Sequence, residues 1–322
     1  EIKRVVLAIF SVYVFGFIMS SIPGILYTFS HIKNSVSTLG EVLSYFQQLI
    51  LDSNIAHNTL REGIAFVSSN RFLELGFDKL MSQILFIISC AFLVFLFHKI
   101  NPEKFRSVIK NLRPERVNFY TASLACGMGF AYINSLGKFV WVDVFGIVCL
   151  FISWICLWMN AVHTNDIADI EIDKISNTNR PLVKGEMSSE DMQQTGYVWL
   201  TLGLLGAWSA GFYPFFMSLV YVAASHIYSA PPLRLRRFPI VSSFLIGAAC
   251  LATILAGFFF VSTHKQIHIF PATLAMGIII IVTLAINFKD LKDVEGDRAE
   301  GIITLATIFK EKAPKVIGFC LA

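Results

Sequence analysis

Two short stretches of this chain carry carboxylates at matching offsets. Asp166-Ile-Ala-Asp169-Ile-Glu171-Ile-Asp173 places them at positions zero, three, five and seven, and Asp290-Leu-Lys-Asp293-Val-Glu295-Gly-Asp297 repeats the pattern. On a helix, offsets of zero, three and seven share one face, so each stretch is expected to stack three carboxylates in a single direction. Like charges at this spacing repel by about 0.2–0.5 kcal/mol per pair, and two facing clusters repel further. Hard divalent cations are the natural neutralisers: Mg²⁺ takes one or two carboxylates and completes its shell with water and phosphate oxygens. The repeat therefore points to a metal-bridged diphosphate site, with Asp166, Asp169, Asp173, Asp290, Asp293 and Asp297 as candidate metal-ligating and catalytic residues.

Cations flank both motifs. Asn165 precedes the first, and Asn179-Arg180-Pro181-Leu182-Val183-Lys184-Gly185 comes after it, where Arg180 and Lys184 can neutralise a phosphate oxygen that the metal does not reach. An ordinary solvated loop explains the same residues. A further loop, Tyr228-Ser229-Ala230-Pro231-Pro232-Leu233-Arg234-Leu235-Arg236-Arg237, offers three arginines that can face the acidic motifs or anionic lipid headgroups. The second motif has Lys289 in front of it, and Gly296 beside Asp297 suits a tight turn or helix end.

The elements that must position these residues are apolar. The composition is 55% hydrophobic with 30 Phe and only 15% charged residues, against roughly 25% charged in an average soluble domain. A membrane-spanning helix needs about 20 predominantly apolar residues. Windows of that kind run approximately over 5–29, 81–97, 118–136, 140–161, 196–212, 214–229, 239–262 and 269–288. The expected class is all-α, a multi-pass transmembrane helical bundle. The opening window reads as a retained anchor rather than a signal peptide, because its apolar run is long and lacks a small-residue cleavage site. Residues 30–80 read as amphipathic helices without evident chemistry. A further helix begins near Pro314, and the sequence is expected to be incomplete at its C-terminus.

If the helices alternate, all 26 Lys and Arg residues except Lys33, Arg61, Arg71, Lys79, Lys138 and Lys265 fall on one side, the expected cytoplasmic side, together with both acidic motifs. The basic excess thus reads as membrane orientation, with no nucleic-acid partner implied. An acidic residue at the bilayer centre costs about 2.5–3.5 kcal/mol, so the six aspartates belong at a water-accessible mouth. The six cysteines lie in apolar windows without a Cys-x-x-Cys pair, which argues against a disulfide framework or zinc site. His163 reads as a polar residue at a helix end.

These residues resemble the UbiA superfamily of membrane prenyltransferases. Its Asn-Asp-x-x-Asp-x-x-x-Asp signature is matched by Asn165, Asp166, Asp169 and Asp173, its second signature by Asp290, Asp293 and Asp297, and its loops by Arg180-Pro181 and Tyr228-Ser-x-Pro-Pro-x-Arg234. The resemblance spans roughly Arg113 to the C-terminus. It implies a core over 111–322, stopping in its seventh helix, behind an extension over 1–110 with two additional membrane helices. It also implies Mg²⁺ on the two aspartate sets, a prenyl diphosphate donor oriented by Asn165, Arg180, Lys184, Arg234 and Lys289, a lipophilic or aromatic acceptor, and an allylic cation sheltered by aromatic residues such as Tyr120, Tyr228 and Phe288. Among family branches, the two acidic runs look most like digeranylgeranylglyceryl phosphate synthases and chlorophyll synthases. Ala285 stands where the family often carries tyrosine, and Ala306 and Lys310 where proline and glycine are frequent. Two rivals predict otherwise: a cation transporter would place its carboxylates near the bilayer midplane on broken helices, and a non-catalytic prenyl-lipid-binding relative would bind without turnover.

Overall fold

The computed structural model describes residues 77–321 apart from 141–142, 264–265, 293, 300 and 302, and for several helical residues, including Lys289, Asp290, Lys292, Gly296 and Asp297, it describes the backbone alone. The apolar window at 5–29 and the 30–76 part of the amphipathic stretch lie outside the described residues. The chain divides into two compact units, Glu1–Leu93 and Val94–Ala322.

Every regular element among the described residues is helical, and the one β pairing there is an isolated antiparallel bridge between Gly137 and Ser262. The helices are α1 (Phe77–Ile100), α2 (Pro102–Lys110), α3 (Pro114–Ile133), α4 (Asp143–Ala168), α5 (Ile170–Ser176), α6 (Ser189–Ala210), α7 (Phe212–Ser229), α8 (Pro239–Val261), α9 (Ala272–Ala285), α10 (Val294–Ala299), α11 (Leu305–Phe309) and α12 (Ala313–Leu321). Each apolar window from 81 onward falls on one of the long helices. Three stretches, Lys79–Ile100, Asp143–Ala168 and Pro239–Val261, are long and apolar enough to cross a membrane, while the apolar run Ala272–Phe288 is shorter. The second of the two expected N-terminal membrane helices corresponds in position to α1.

Within the second unit α4 packs along α6, and α8 lies between α3, α7 and α9. Lipid tails are as apolar as leucine, so no hydrophobic drive brings such helices together, and close packing with buried hydrogen bonds must do so. Both are present. The Trp154 indole N–H donates to Thr253 Oγ1 at 2.8 Å across α4 and α8, and Asn160 Nδ2 donates to the Gly196 carbonyl at 3.0 Å across α4 and α6.

The α3–α8 crossing depends on two glycines. A Cβ added at Gly127 would run into the Ile254 carbonyl, and one added at Gly257 into the Leu124 carbonyl. Backbone cannot step aside as a side chain does, so Gly257→Val is expected to destabilise the bundle by about 1–3 kcal/mol or more. Gly129, on the same helix as Gly127, has open space at that point, and Gly129→Val is the control. Unfolding in detergent reads the difference; equal stability of the two variants would refute the close crossing.

Candidate functional site

The first acidic motif sits where α4 gives way to α5. Asp166 lies in the last turn of α4, Asp169 is the junction, and Asp173 lies in α5. The junction departs from an uninterrupted helix, since Asp169 has φ −110° and ψ 17°. Its N–H still reaches the Asn165 carbonyl and its carbonyl still takes the Asp173 N–H, both at 2.9 Å. The chain therefore bends without losing the helical ladder. All three aspartates are buried, with exposures of 1%, 3% and 6% in chain order, whereas Glu171 is exposed and pairs locally with Lys174 at 2.7 Å.

Buried carboxylates need counter-charges, and each has its own arginine. Arg113 pairs with Asp166, which also accepts from Asn111 Nδ2 at 2.7 Å. Asp169 lies between Arg234, at 2.8 Å, and Arg236, and Asn165 Nδ2 donates to it at 2.6 Å. Asp173 accepts from Asn177 Nδ2 at 2.9 Å and faces Arg180 Nε at 3.8 Å. The arginines come from three places: the entrance to α3, the loop after α5, and the 3₁₀ turn Leu235–Arg237 after α7. Arg113 and Arg234 both have left-handed backbones, with φ of 53° and 40°. At Arg113 that conformation turns the chain into Pro114, the first residue of α3.

Burial, followed by the nearby Asp166 charge, pushes the Asp173 carboxyl above its ordinary value, against the opposing pull of Arg180 and Asn177. A carboxyl raised in the folded state favours folding while it is protonated. That contribution is complete below its unfolded value and is lost as pH rises through the folded one. A neutralising cation acts in the same direction at neutral pH.

Of the residues expected from the sequence, Asn165, Asp166, Asp169, Asp173, Arg180 and Arg234 come together. Lys184 stands exposed and pairs with none of the described carboxylates. The second motif runs from the 3₁₀ segment Ile286–Lys292, which holds Lys289 and Asp290, into α10, which holds Asp297. Asp293 and the side chains of Lys289, Asp290 and Asp297 lie outside the described residues. α10 packs against α5, so the backbones of the two acidic segments are neighbours. The expected turn at Gly296 is absent: α10 runs through it to Ala299, and the left-handed glycine is Gly301, with φ 67°. His163 is buried rather than terminal, its Nδ1 bonding the Met159 carbonyl at 2.6 Å one turn before Asp166. Sequence reasoning missed Arg113, Asn111, Asn177 and Arg236 as site residues. Asn177 could have been found from its i+4 spacing to Asp173, and Arg236 stood in a loop already under suspicion.

Two to three turns into the bundle, Tyr120, Trp158, Tyr221 and Trp154 gather from α3, α4 and α7. Ring centroids lie 5.5 Å apart for Tyr120 and Trp158, 5.2 Å for Tyr120 and Tyr221, and 6.2 Å for Trp154 and Tyr221. Phe288, by contrast, is 62% exposed.

A helical bundle with membrane-length apolar helices, carrying buried, arginine-paired aspartates where one helix gives way to the next, defines an integral membrane protein with a charged cluster over an aromatic interior. Residues 122–322 match the UbiA prenyltransferase family, and the chain belongs to that family. It is 32% identical over 194 residues to chlorophyll synthase of Arabidopsis thaliana, covering 56% of this chain and 49% of that protein. It is 31% identical over 178 residues to naringenin 8-dimethylallyltransferase 2 of Sophora flavescens, covering 49% and 43%. With digeranylgeranylglyceryl phosphate synthase of Thermococcus kodakarensis it shares 28% over 158 residues, covering 49% and 54%. The chain thus spans about half the length of these curated relatives. Its fold resembles that of a UbiA homologue from Archaeoglobus fulgidus bound to GPP and Mg²⁺, with a TM-score of 0.56 and 19% identity over 66% of this chain and 73% of that one.

Proposed function

We propose that this chain is an integral membrane prenyltransferase, moving a prenyl group from a prenyl diphosphate to a lipophilic or aromatic acceptor with the help of Mg²⁺. The observation that carries the reading is the packing of α5 against α10, which brings the two acidic segments together beside the arginine-rich loops. Relatives named for chlorophyll synthesis and for dimethylallyl transfer, and a homologous structure with GPP and Mg²⁺, support it. The cytoplasmic face is the proposed side of the mouth, on the excess of basic residues there. The proposed family core extends over 111–322, behind an extension over 1–110.

The donor set suits a hard cation, since it consists of carboxylate oxygens alone. Mg²⁺ is such a cation, taking one or two carboxylates and completing its shell with phosphate oxygens and water. Asp166, Asp169 and Asp173, with Asp290, Asp293 and Asp297, would hold it. Bound there, Mg²⁺ supplies positive charge to the departing diphosphate.

The chain's own groups do the rest. Arg113 and Arg234 each retain a buried Nε–H without a hydrogen-bond partner among the described residues, so each has a donor to give a phosphate oxygen. Arg180, Arg236 and Asn165 are the further groups for orienting the diphosphate, with Lys184 and Lys289 as outlying candidates. Guanidinium forks fixed in place stabilise charge developing on the leaving group as the allylic carbon–oxygen bond breaks. The ring faces of Tyr120, Tyr221 and Trp158 lie about 11 Å deeper along the helices, and Trp154 about one turn farther, where they can stabilise the allylic cation and keep water away until the acceptor attacks.

The test is product formation by the purified protein in nanodiscs, using labelled geranylgeranyl diphosphate and a panel of phenolic, chlorin and lipid acceptors. Labelled product is expected with Mg²⁺, with a loss of about 100-fold or more on chelation and recovery on adding the metal back. Absence of both metal-dependent diphosphate binding and product would sink the reading.

A further inference from the structure

Asn111 lies upstream of residues 122–322 and yet joins two parts of the site. It closes the C-terminus of α2, is 3% exposed, and uses both ends of its amide. Nδ2 donates to Asp166 Oδ2 at 2.7 Å, and Oδ1 accepts from Arg180 Nη1 at 3.3 Å. An amide can donate to a carboxylate and accept from a guanidinium at once, whereas a carboxylate or an aliphatic side chain cannot.

The segment that carries Asn111 is held firmly. The Leu112 carbonyl accepts the Trp158 indole N–H at 2.9 Å, and Arg113 pairs with Asp166. Farther back, Ser107 Oγ donates to Glu186 at 2.6 Å and Lys104 pairs with Asp191 at 2.7 Å. Val108 is buried with Met159, Leu182, Met187 and Met192. α2 thus lies strapped across the loop that supplies Arg180 and the start of α6, with its exit aimed at Asp166.

We propose that Asn111 is a positioning residue that holds Asp166 and Arg180 in register, so that the metal-binding carboxylate and the diphosphate-orienting cation meet the prenyl donor together. This rests on the site reading of the preceding subsection. The two groups Asn111 bonds, Asp166 and Arg180, are ones assigned to the metal and the diphosphate, so its influence is expected at the diphosphate end of the donor.

Calorimetric titration of inorganic diphosphate into the purified full chain with Mg²⁺ present tests it, alongside steady-state kinetics. Asn111→Leu removes both hydrogen bonds. Asn111→Asp keeps the size but sets a like charge against Asp166, and it decides the matter if the leucine variant does not fold. Both are expected to weaken diphosphate binding about 10–100-fold, the range for groups that orient metal ligands. The KM for the prenyl diphosphate should rise by a similar factor while the KM for the acceptor holds. Parental diphosphate affinity in the variants, or KM values for donor and acceptor rising in step, would overturn the role of Asn111. A parent protein that binds no diphosphate would overturn the site reading itself, and this role with it.

Discussion

Asp169→Asn is expected to reduce kcat/KM for prenyl transfer by about 10²–10³-fold or more while leaving the protein folded. Asp169 is the point where charge from two arginines converges, Arg234 at 2.8 Å and Arg236, with Asn165 completing its hydrogen bonds at 2.6 Å. An amide of the same shape keeps the packing and one acceptor oxygen, but it gives up the negative charge that a divalent cation needs. Asp169→Ala is expected to do more. Both guanidinium groups are mostly withdrawn from water, with side chains 12% exposed, and stranding buried charge costs about 3–5 kcal/mol. Asp169→Asn strands the same two charges but keeps a hydrogen-bond acceptor for one of them, so it should lose less stability than Asp169→Ala, and turnover per folded protein, read beside unfolding in detergent, isolates the chemical loss. An Asp169→Asn enzyme with parental kcat/KM would show that the first acidic segment is not the metal site.

The contrast between what could and could not be read from the sequence follows from chain distance. Long apolar runs announced the helices because membrane-length hydrophobicity is a local property, and the acidic motif was legible because its spacing is local too. Arg180 and Arg234 were within reach of the same reasoning, since each sits in a loop that leaves a helix near the mouth. Arg113 and Asn111 were not. They stand 53 and 55 residues before Asp166, and only the packing of α3 and α2 against α4 brings them to it. Choices between neighbouring cations were equally hidden. Arg236 turns toward Asp169 and Arg237 remains exposed, a division made by the left-handed backbone at Arg234 and the 3₁₀ turn that follows it. Arg180 and Lys184 share a loop, yet only Arg180 faces Asp173. A planar fork that reaches two partners at once suits that place better than a point charge. The turn moved from Gly296 to Gly301 for a related reason: glycine permits a left-handed residue without requiring one.

Arg113→Ala is expected to be among the most destabilising single changes in the bundle, by about 3–5 kcal/mol. Asp166 is 1% exposed, so its carboxylate cannot recover solvent when the guanidinium leaves, and the single amide of Asn111 donates a hydrogen bond without supplying charge. Arg113→Lys should restore only part of the loss, because a compact ammonium on a flexible stem cannot reproduce the guanidinium fork or hold the turn into α3. The informative variant is the double replacement Arg113→Ala with Asp166→Asn. It removes the stranded charge, leaves Asn111 an amide oxygen to donate to, and should recover much of the stability, giving a coupling energy of about 0.5–3 kcal/mol between the two positions. Prenyl transfer should stay lost in the same protein, since neither the carboxylate nor the guanidinium remains. Stability returning without activity would show that the ion pair is dispensable to the fold once both charges are gone, and that the pair is retained for chemistry. Arg113→Ala as stable as the parent would instead refute the ion pair as a support of the fold.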